Sequence, residues 1–249
     1  MKFAIPSYNR PEKLKKTTLA YLFSENIEAE DIYVFLKDEE QLALYKRSID
    51  ENLNWIVCNT TNLKDKRQFI IDFFPDKEII VSLDDDIKRL KMLEPRSLKC
   101  LLAELFTALV ENNCSIWGIY PVNNLFYCKE RVKIGKQFIC SNFYGFINNK
   151  SVKYTINAGC KLDIWLSCYL SEKEQRLLRY EGACPDTTYF AKGGLSDFRT
   201  FEQEVSACNQ IVKEYPHLVS YAVKKDGHPY CVWKKQNLII QPLRRISDL

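Results

Sequence analysis

The first third of the chain alternates short strand-like runs with helix-like runs, and this alternation constrains the fold more than any other feature. Residues 2–6 read as a strand that Pro6 stops. After the polar loop Ser7-Tyr8-Asn9-Arg10-Pro11, residues 12–23 carry Leu14, Leu19, Tyr21 and Leu22 at helical spacing, with Pro11 near the first turn. Residues 32–36 predict a second strand, 39–48 a second helix, 55–58 a third strand and 64–74 a third helix. Such an order predicts an α/β fold built on a mostly parallel sheet, with helices on both faces.

The next run, Ile79-Ile80-Val81-Ser82-Leu83, leads directly into Asp84-Asp85-Asp86. A strand end that fixes acidic side chains is where an α/β sheet places a ligand or a metal. Asp84 and Asp86 lie two apart, so they face the same way while the strand persists. Two carboxylates with open positions left over suit Mg²⁺ or Mn²⁺ that also binds phosphate oxygens. The same triplet also reads as a solvated loop, or as a cap in which Asp86 starts a short helix.

Beyond this point, residues 98–110 predict a core-packing helix and 115–122 a strand. From 126 to 150 the chain is aromatic and β-rich, with turns at Ile134-Gly135-Lys136 and Asn148-Asn149, which predicts antiparallel strands. Trp165, Leu166, Tyr169 and Leu170 suggest a helix, and Ser171-Glu172-Lys173-Glu174 reads as the capping start of another over 175–180. Gly193-Gly194 marks a flexible point, 201–215 a helix, and Lys225-Asp226-Gly227-His228-Pro229 the turn of a hairpin.

Composition narrows the class. With 249 residues, 46% of them hydrophobic, the chain is long enough for one large α/β domain. A net charge of +4 permits polyanionic ligands without demanding them. Ten cysteines at long spacings, no Cys-x-x-Cys and two histidines argue against zinc and against a secreted disulfide framework. No apolar leader or membrane span is visible, so a soluble cytoplasmic protein is expected, in a host cytoplasm if the source is a virus or phage.

Four segments in this order resemble a GT-A-fold (Rossmann-like) glycosyltransferase: Ile5-Pro6-Ser7-Tyr8-Asn9-Arg10-Pro11, Lys64-Asp65-Lys66-Arg67, Leu83-Asp84-Asp85-Asp86-Ile87 and Trp117-Gly118-Ile119-Tyr120-Pro121-Val122-Asn123. More narrowly, they resemble the phage and viral glycosyltransferases associated with TET/JBP-type oxygenases, thought to glycosylate hydroxymethylpyrimidines in DNA. The likeness covers residues 1–125 well. It continues in patches through Lys161-Leu162-Asp163, Leu178-Arg179-Tyr180 and Tyr189-Phe190-Ala191-Lys192-Gly193-Gly194.

The resemblance implies one GT-A-like domain over 1–249, with a nucleotide-sugar half (1–125) and a smaller antiparallel β-rich acceptor-side half (126–249). It implies that Pro6, Ser7, Tyr8, Asn9 and Arg10 line the pocket of a nucleoside-diphosphate sugar, UDP-glucose being favoured. Tyr8 would offer a stacking face and Arg10 a fork for oxygens, while Lys64 and Arg67 would reach the diphosphate. Asp84 and Asp86 would serve as the Asp-x-Asp motif around Mn²⁺ or Mg²⁺, with Asp85 an open case and His228 a further metal ligand. Asp163 would be the base that activates an acceptor hydroxyl. Leu162 departs from the acid expected before it, which leaves Glu172 and Glu174 as rivals. A DNA acceptor would meet Lys129, Arg131, Lys133 and Lys136 among Phe126, Tyr127 and Phe138; a glycan or glycoprotein acceptor is the alternative.

Two other classes compete. A non-catalytic nucleotide-binding or nucleic-acid-binding module of the same fold would agree with Leu162 but not with retained Asp84, Asp86 and Arg10. A nucleotidyltransferase would carry a glycine-rich phosphate loop near its start, and residues 1–117 contain no glycine.

Overall fold

A computed structural model of the chain describes residues 1–187 and 200–245. The Tyr189–Gly194 segment, with its Gly193-Gly194 point, lies outside the described residues. Among the described residues, nine strands form one sheet in the order β13-β7-β9-β6-β8-β4-β1-β2-β3. They are β1 (Lys2–Pro6), β2 (Ile32–Leu36), β3 (Asn54–Val57), β4 (Ile79–Leu83), β6 (Ile116–Ile119), β7 (Val132–Gly135), β8 (Phe143–Ile147), β9 (Leu177–Tyr180) and β13 (Ile239–Gln241). β7 and β8 run against the rest. Two small antiparallel pairs complete the described strands: β5 (Arg89–Met92) with β10 (Ala183–Asp186), and β11 (Val219–Val223) with β12 (Pro229–Trp233).

Strand parity explains why helices cover both faces. Phe3 and Ile5, Ile32, Val34 and Leu36, Val81 and Leu83, and Trp117 and Ile119 all point into one core. Their in-between neighbours Ala4, Phe35, Ile80 and Ile116 point into cores on the other side, as the two-residue period of a strand requires. The first face is covered by a helical segment over 11–24, by α3 (Glu39–Ser48) and by α5 (Leu98–Glu111). The opposite face is covered by α4 (Leu63–Phe73), α6 (Leu162–Glu174) and α7 (Phe201–Glu214).

Two expectations change. The β-rich stretch 126–150 does not pair with itself: β8 inserts between β4 and β6, and β7 pairs with β9 and β13. The second helix expected over 175–180 is instead β9, next to β6. Gln175 takes a left-handed backbone (φ 64°) that ends α6, and Leu177, Leu178 and Tyr180 are buried in the sheet. Pairing with two neighbours overrides the local capping signal.

Candidate functional site

β1 and β4 run parallel with Ala4 opposite Ser82, so the residues after each strand emerge side by side. Between them opens a cavity of about 570 Å³ at the carboxyl ends of the strands. Its floor includes Ser7 and the Asp84–Asp86 turn. Its walls come from Tyr8 and Arg10, from Thr60–Leu63 at the start of α4, and from Asn157–Cys160 with Gln203 and Ser206 of α7.

The 7–10 loop is pinned from several elements. Asn9 adopts the left-handed conformation (φ 56°) that Asn tolerates better than most residues, and it exchanges hydrogen bonds with the Gln41 amide. Tyr45, one turn further along α3, accepts from Arg10 N at 3.0 Å and lies 2.6 Å from Ser7 Oγ. Burial pushes the Tyr45 pKa up to about 12, so the hydroxyl keeps its proton. Ser7 Oγ donates to Asp85 Oδ2 at 2.5 Å, which leaves the Tyr45 hydroxyl to donate to Ser7. A one-way chain results, from Arg10 N through Tyr45 and Ser7 to Asp85. Lys66 Nζ closes it from α4 by donating to Ser7 O at 2.7 Å.

The acidic turn is held by its backbone. Residues 11–24 run as α1 (Pro11–Leu14), a π-helical stretch (Lys15–Leu19) and α2 (Ala20–Ser24). π-helical turns often mark functional positions, and this one presents two threonine hydroxyls to the turn. Thr18 Oγ1 donates to Asp84 O at 2.8 Å and accepts from Ile87 N, while the Thr17 hydroxyl is shared between Lys13 O at 2.6 Å and Asp85 O at 3.1 Å. The turn therefore passes into β5 without starting the short helix that Asp86 could have capped.

The three carboxylates have different environments. Asp85 is buried and engaged on both oxygens, by Ser7 and by Arg10 NH1 at 3.3 Å. Burial raises its pKa, opposed by Arg10 and the Ser7 hydrogen bond. Asp84 is open to the cavity, with 41% of its side chain accessible. The surrounding protein still desolvates it and pushes its pKa up to about 7, against the pull of Arg67 and with help from Asp86 and Asp85. Solvent in the cavity keeps the energetic consequence smaller than in a sealed site. Asp86 accepts from the Thr187 hydroxyl at 2.6 Å and faces Lys13 and Arg10.

Among the described residues, no group of three or more His, Cys, Asp or Glu side chains is placed to hold a metal ion. Asp84 and Asp86 offer two carboxylates beside an open cavity. That donor set fits an ion such as Mg²⁺ or Mn²⁺ that fills its shell with water and phosphate oxygens, and it does not build a closed protein cage.

The expected residues divide accordingly. Pro6, Ser7, Tyr8, Arg10, Asp84, Asp85 and Asp86 line the cavity together. Asn9 does not, because its side chain is taken by Gln41. Lys64 lies outside the wall, 3.7 Å from Asp65. Arg67 is buried, donating to Tyr144 Oη and Ser141 O and lying 3.5 Å from Asp84, so it braces the acidic turn from behind. Asp163 sits in the first turn of α6, outside the cavity wall but near enough to Arg67 to be felt by it. Burial raises its pKa, opposed by the Ile164 amide and Arg67.

Glu172 is held 2.7 Å from His217 and 3.3 Å from Lys136, away from the cavity wall. A hydrogen bond from His217 lowers its pKa. Glu174 hydrogen-bonds Ser115. His228 is exposed at the β11–β12 turn with its ring against Phe201, outside the wall of the cavity.

Lys66, Lys13, Tyr45, Thr17, Thr18 and Thr187 contact the cavity loop or the acidic turn and are not singled out by the sequence. For Lys66 a signal existed. Stepping back one turn from the apolar Ile70 and Ile71 lands on Lys66 and Arg67, the two basic residues on the buried stripe of α4.

Neither a family model nor a curated protein matches the sequence. Solved structures do resemble the fold. Glucosyl-3-phosphoglycerate synthase from Mycobacterium tuberculosis, in complex with Mn²⁺, UDP-glucose and phosphoglyceric acid, aligns at 9% identity over 97% of this chain and 89% of its own, with TM-score 0.54. The same enzyme with Mg²⁺ and UDP aligns over the same shares with TM-score 0.52. A further mycobacterial protein aligns at 8% identity over 97% and 86%, with TM-score 0.50. At such identities the likeness concerns the fold alone: a mixed α/β, GT-A-like sheet with helices on both faces and small antiparallel additions.

Proposed function

We propose that the chain is a metal-dependent glycosyltransferase that moves a hexose from a nucleoside-diphosphate sugar to an acceptor hydroxyl. The observation that carries this reading is the junction of Asp84–Asp86 with Ser7, Tyr8 and Arg10 around one cavity at the carboxyl ends of β1 and β4. Its support is that neighbours of the same fold bind UDP with Mn²⁺ or Mg²⁺. In this reading Asp84 and Asp86 hold the cation, which supplies charge stabilisation to the departing nucleoside diphosphate. Arg10 and Lys66 add positive charge on the cavity side, and the Tyr8 ring offers a face to the base. For the acceptor hydroxyl we favour Asp163 as base: it does not line the cavity, but it lies near Arg67 behind the acidic turn, whereas Glu172 is committed to a surface ion pair.

For the acceptor we favour hydroxymethylpyrimidine in DNA. Exposed Phe126 and Tyr127 beside exposed Lys129 support it, as a stacking and charge surface. Arg131 and Lys133 support it less, because both are drawn onto Glu181 at 2.8 and 2.9 Å, and Lys136 is drawn onto Glu172. A glycan or other hydroxyl acceptor is the second reading, favoured by this self-neutralised basic surface.

Calorimetric titration with UDP in the presence of Mn²⁺ tests the donor site. Binding that is lost in EDTA and in Asp86→Ala supports the proposal. Absence of UDP binding to the folded wild-type protein with either metal would overturn it.

A further inference from the structure

Both carboxylate oxygens of Asp86 already have partners inside the protein, although the side chain lines the cavity. Oδ1 takes the Thr187 hydroxyl, and Oδ2 faces Lys13 Nζ at 3.3 Å and Arg10 NH1 at 3.5 Å. The two cations are held differently. Arg10 divides its guanidinium between Asp85 and Asp86, and its backbone is anchored to Tyr45. Lys13 reaches Asp86 from α1 on a flexible stem, with 24% of its side chain accessible. Arg67, the cation of Asp84, is buried and fixed by Tyr144 and Ser141. Among the described cations around the acidic turn, Lys13 is thus the one on a flexible stem with the most exposed side chain.

We propose that the Lys13 ammonium is a built-in counter-ion of Asp86 which a divalent cation must displace, so that the free protein binds the metal weakly and a nucleoside diphosphate strengthens that binding. This inference rests on the reading that Asp86 is a metal ligand. A divalent ion on Oδ2 would lie within a few ångströms of the ammonium, where like charges repel strongly in a partly desolvated site. The displaced ammonium then needs another anion, and a diphosphate in the adjoining cavity supplies one. Linkage makes the effect reciprocal: the diphosphate tightens the metal by the same factor as the metal tightens the diphosphate. Asp84 and Asp86 would thereby be coupled to the donor without any change of fold.

The test is a Mn²⁺ titration followed by the electron paramagnetic resonance signal of the free aquo ion, with and without UDP. It compares wild type, Lys13→Met, which keeps the stem and removes the charge, and Lys13→Arg, which keeps the charge. Without UDP, Lys13→Met is expected to bind Mn²⁺ about tenfold more tightly than wild type, and the enhancement by UDP is expected to shrink by a similar factor. Lys13→Arg is expected to follow wild type. Circular dichroism melts confirm that each variant is folded. A folded Lys13→Met protein with unchanged Mn²⁺ affinity and unchanged UDP enhancement would overturn this inference and leave the proposed function standing. Absence of Mn²⁺ binding in wild type and variant, with UDP present, would overturn both.

Discussion

Removing one oxygen from the core tests how the cavity floor is built. Tyr45 is fully buried, and its ring packs edge-on against Trp55 at 6.2 Å. Tyr45→Phe keeps that packing and deletes only the hydroxyl, which accepts from Arg10 N and donates to Ser7 Oγ. Two hydrogen bonds at roughly 1 kcal/mol each put the loss near 2 kcal/mol. For a chain of this size that corresponds to a fall in melting temperature of about 4–8 °C. The loosened 7–10 loop carries cavity residues, so UDP affinity should also fall, by roughly three- to tenfold, equivalent to about 0.6–1.4 kcal/mol. Differential scanning calorimetry and UDP titration in Mn²⁺ measure the two effects. In a double-mutant cycle, Ser7→Ala should be clearly less than additive with Tyr45→Phe, because both interrupt the same chain. A Tyr45→Phe protein with unchanged melting temperature and unchanged UDP affinity would refute the idea that this chain holds the loop.

Other outcomes follow from the same geometry. Glu181 is buried with Arg131, Lys133 and Arg179 at 2.8–2.9 Å; burial works against its ionisation, but the three hydrogen bonds outweigh it and its pKa is lowered. The stabilisation from this four-residue cluster is therefore present above the ordinary glutamate range and lost as pH falls through the lower native value. Glu181→Gln should cost about 3 kcal/mol at pH 7 in urea melts, and less below about pH 4. Lys66 lines the cavity, and burial lowers its pKa to about 8. UDP affinity should decline above pH 8 as this charge is lost, and Lys66→Met should bind UDP more weakly at pH 7 with a flatter pH profile; an identical slope in the variant would contradict this. Gly145 lies where a methyl group would overlap the buried Trp117 indole. Gly145→Ala should destabilise by about 1–3 kcal/mol in denaturant melts while the folded protein keeps its UDP affinity, since neither residue lines the cavity.

The first half of the fold was legible because its strands and helices repeat two clear periods. Phe3 and Ile5 against Ala4, and Ile32, Val34 and Leu36 against Phe35, show how short apolar runs serve both faces of one sheet. β9 was not legible: Ser171 and Glu174 imitate a helix start, and only the pairing of Leu177–Tyr180 with β6 and β7 makes that stretch a strand. β8 was expected as a strand, but its place between β4 and β6 depends on contacts far apart in sequence. The acidic triplet was visible as a cluster. The separate environments of its members were not, because Asp85 meets Ser7 and Asp86 meets Thr187 across large sequence distances. Lys64 and Arg67 were singled out for their charge, whereas helix geometry turns Arg67 inward and gives the cavity Lys66.

Sugar transfer is read without ambiguity from the mass of an acceptor after reaction. Hydroxymethylpyrimidine-containing DNA would be incubated with the protein, Mn²⁺ and a panel of nucleoside-diphosphate sugars, then digested and weighed as nucleosides. A gain of one hexose that disappears in EDTA and in Asp86→Ala is expected. Hydrolysis of a donor without modification of DNA would keep the transferase and move the acceptor to glycans. No turnover of any donor by folded protein, with DNA or glycan acceptors present, would rule out a glycosyltransferase.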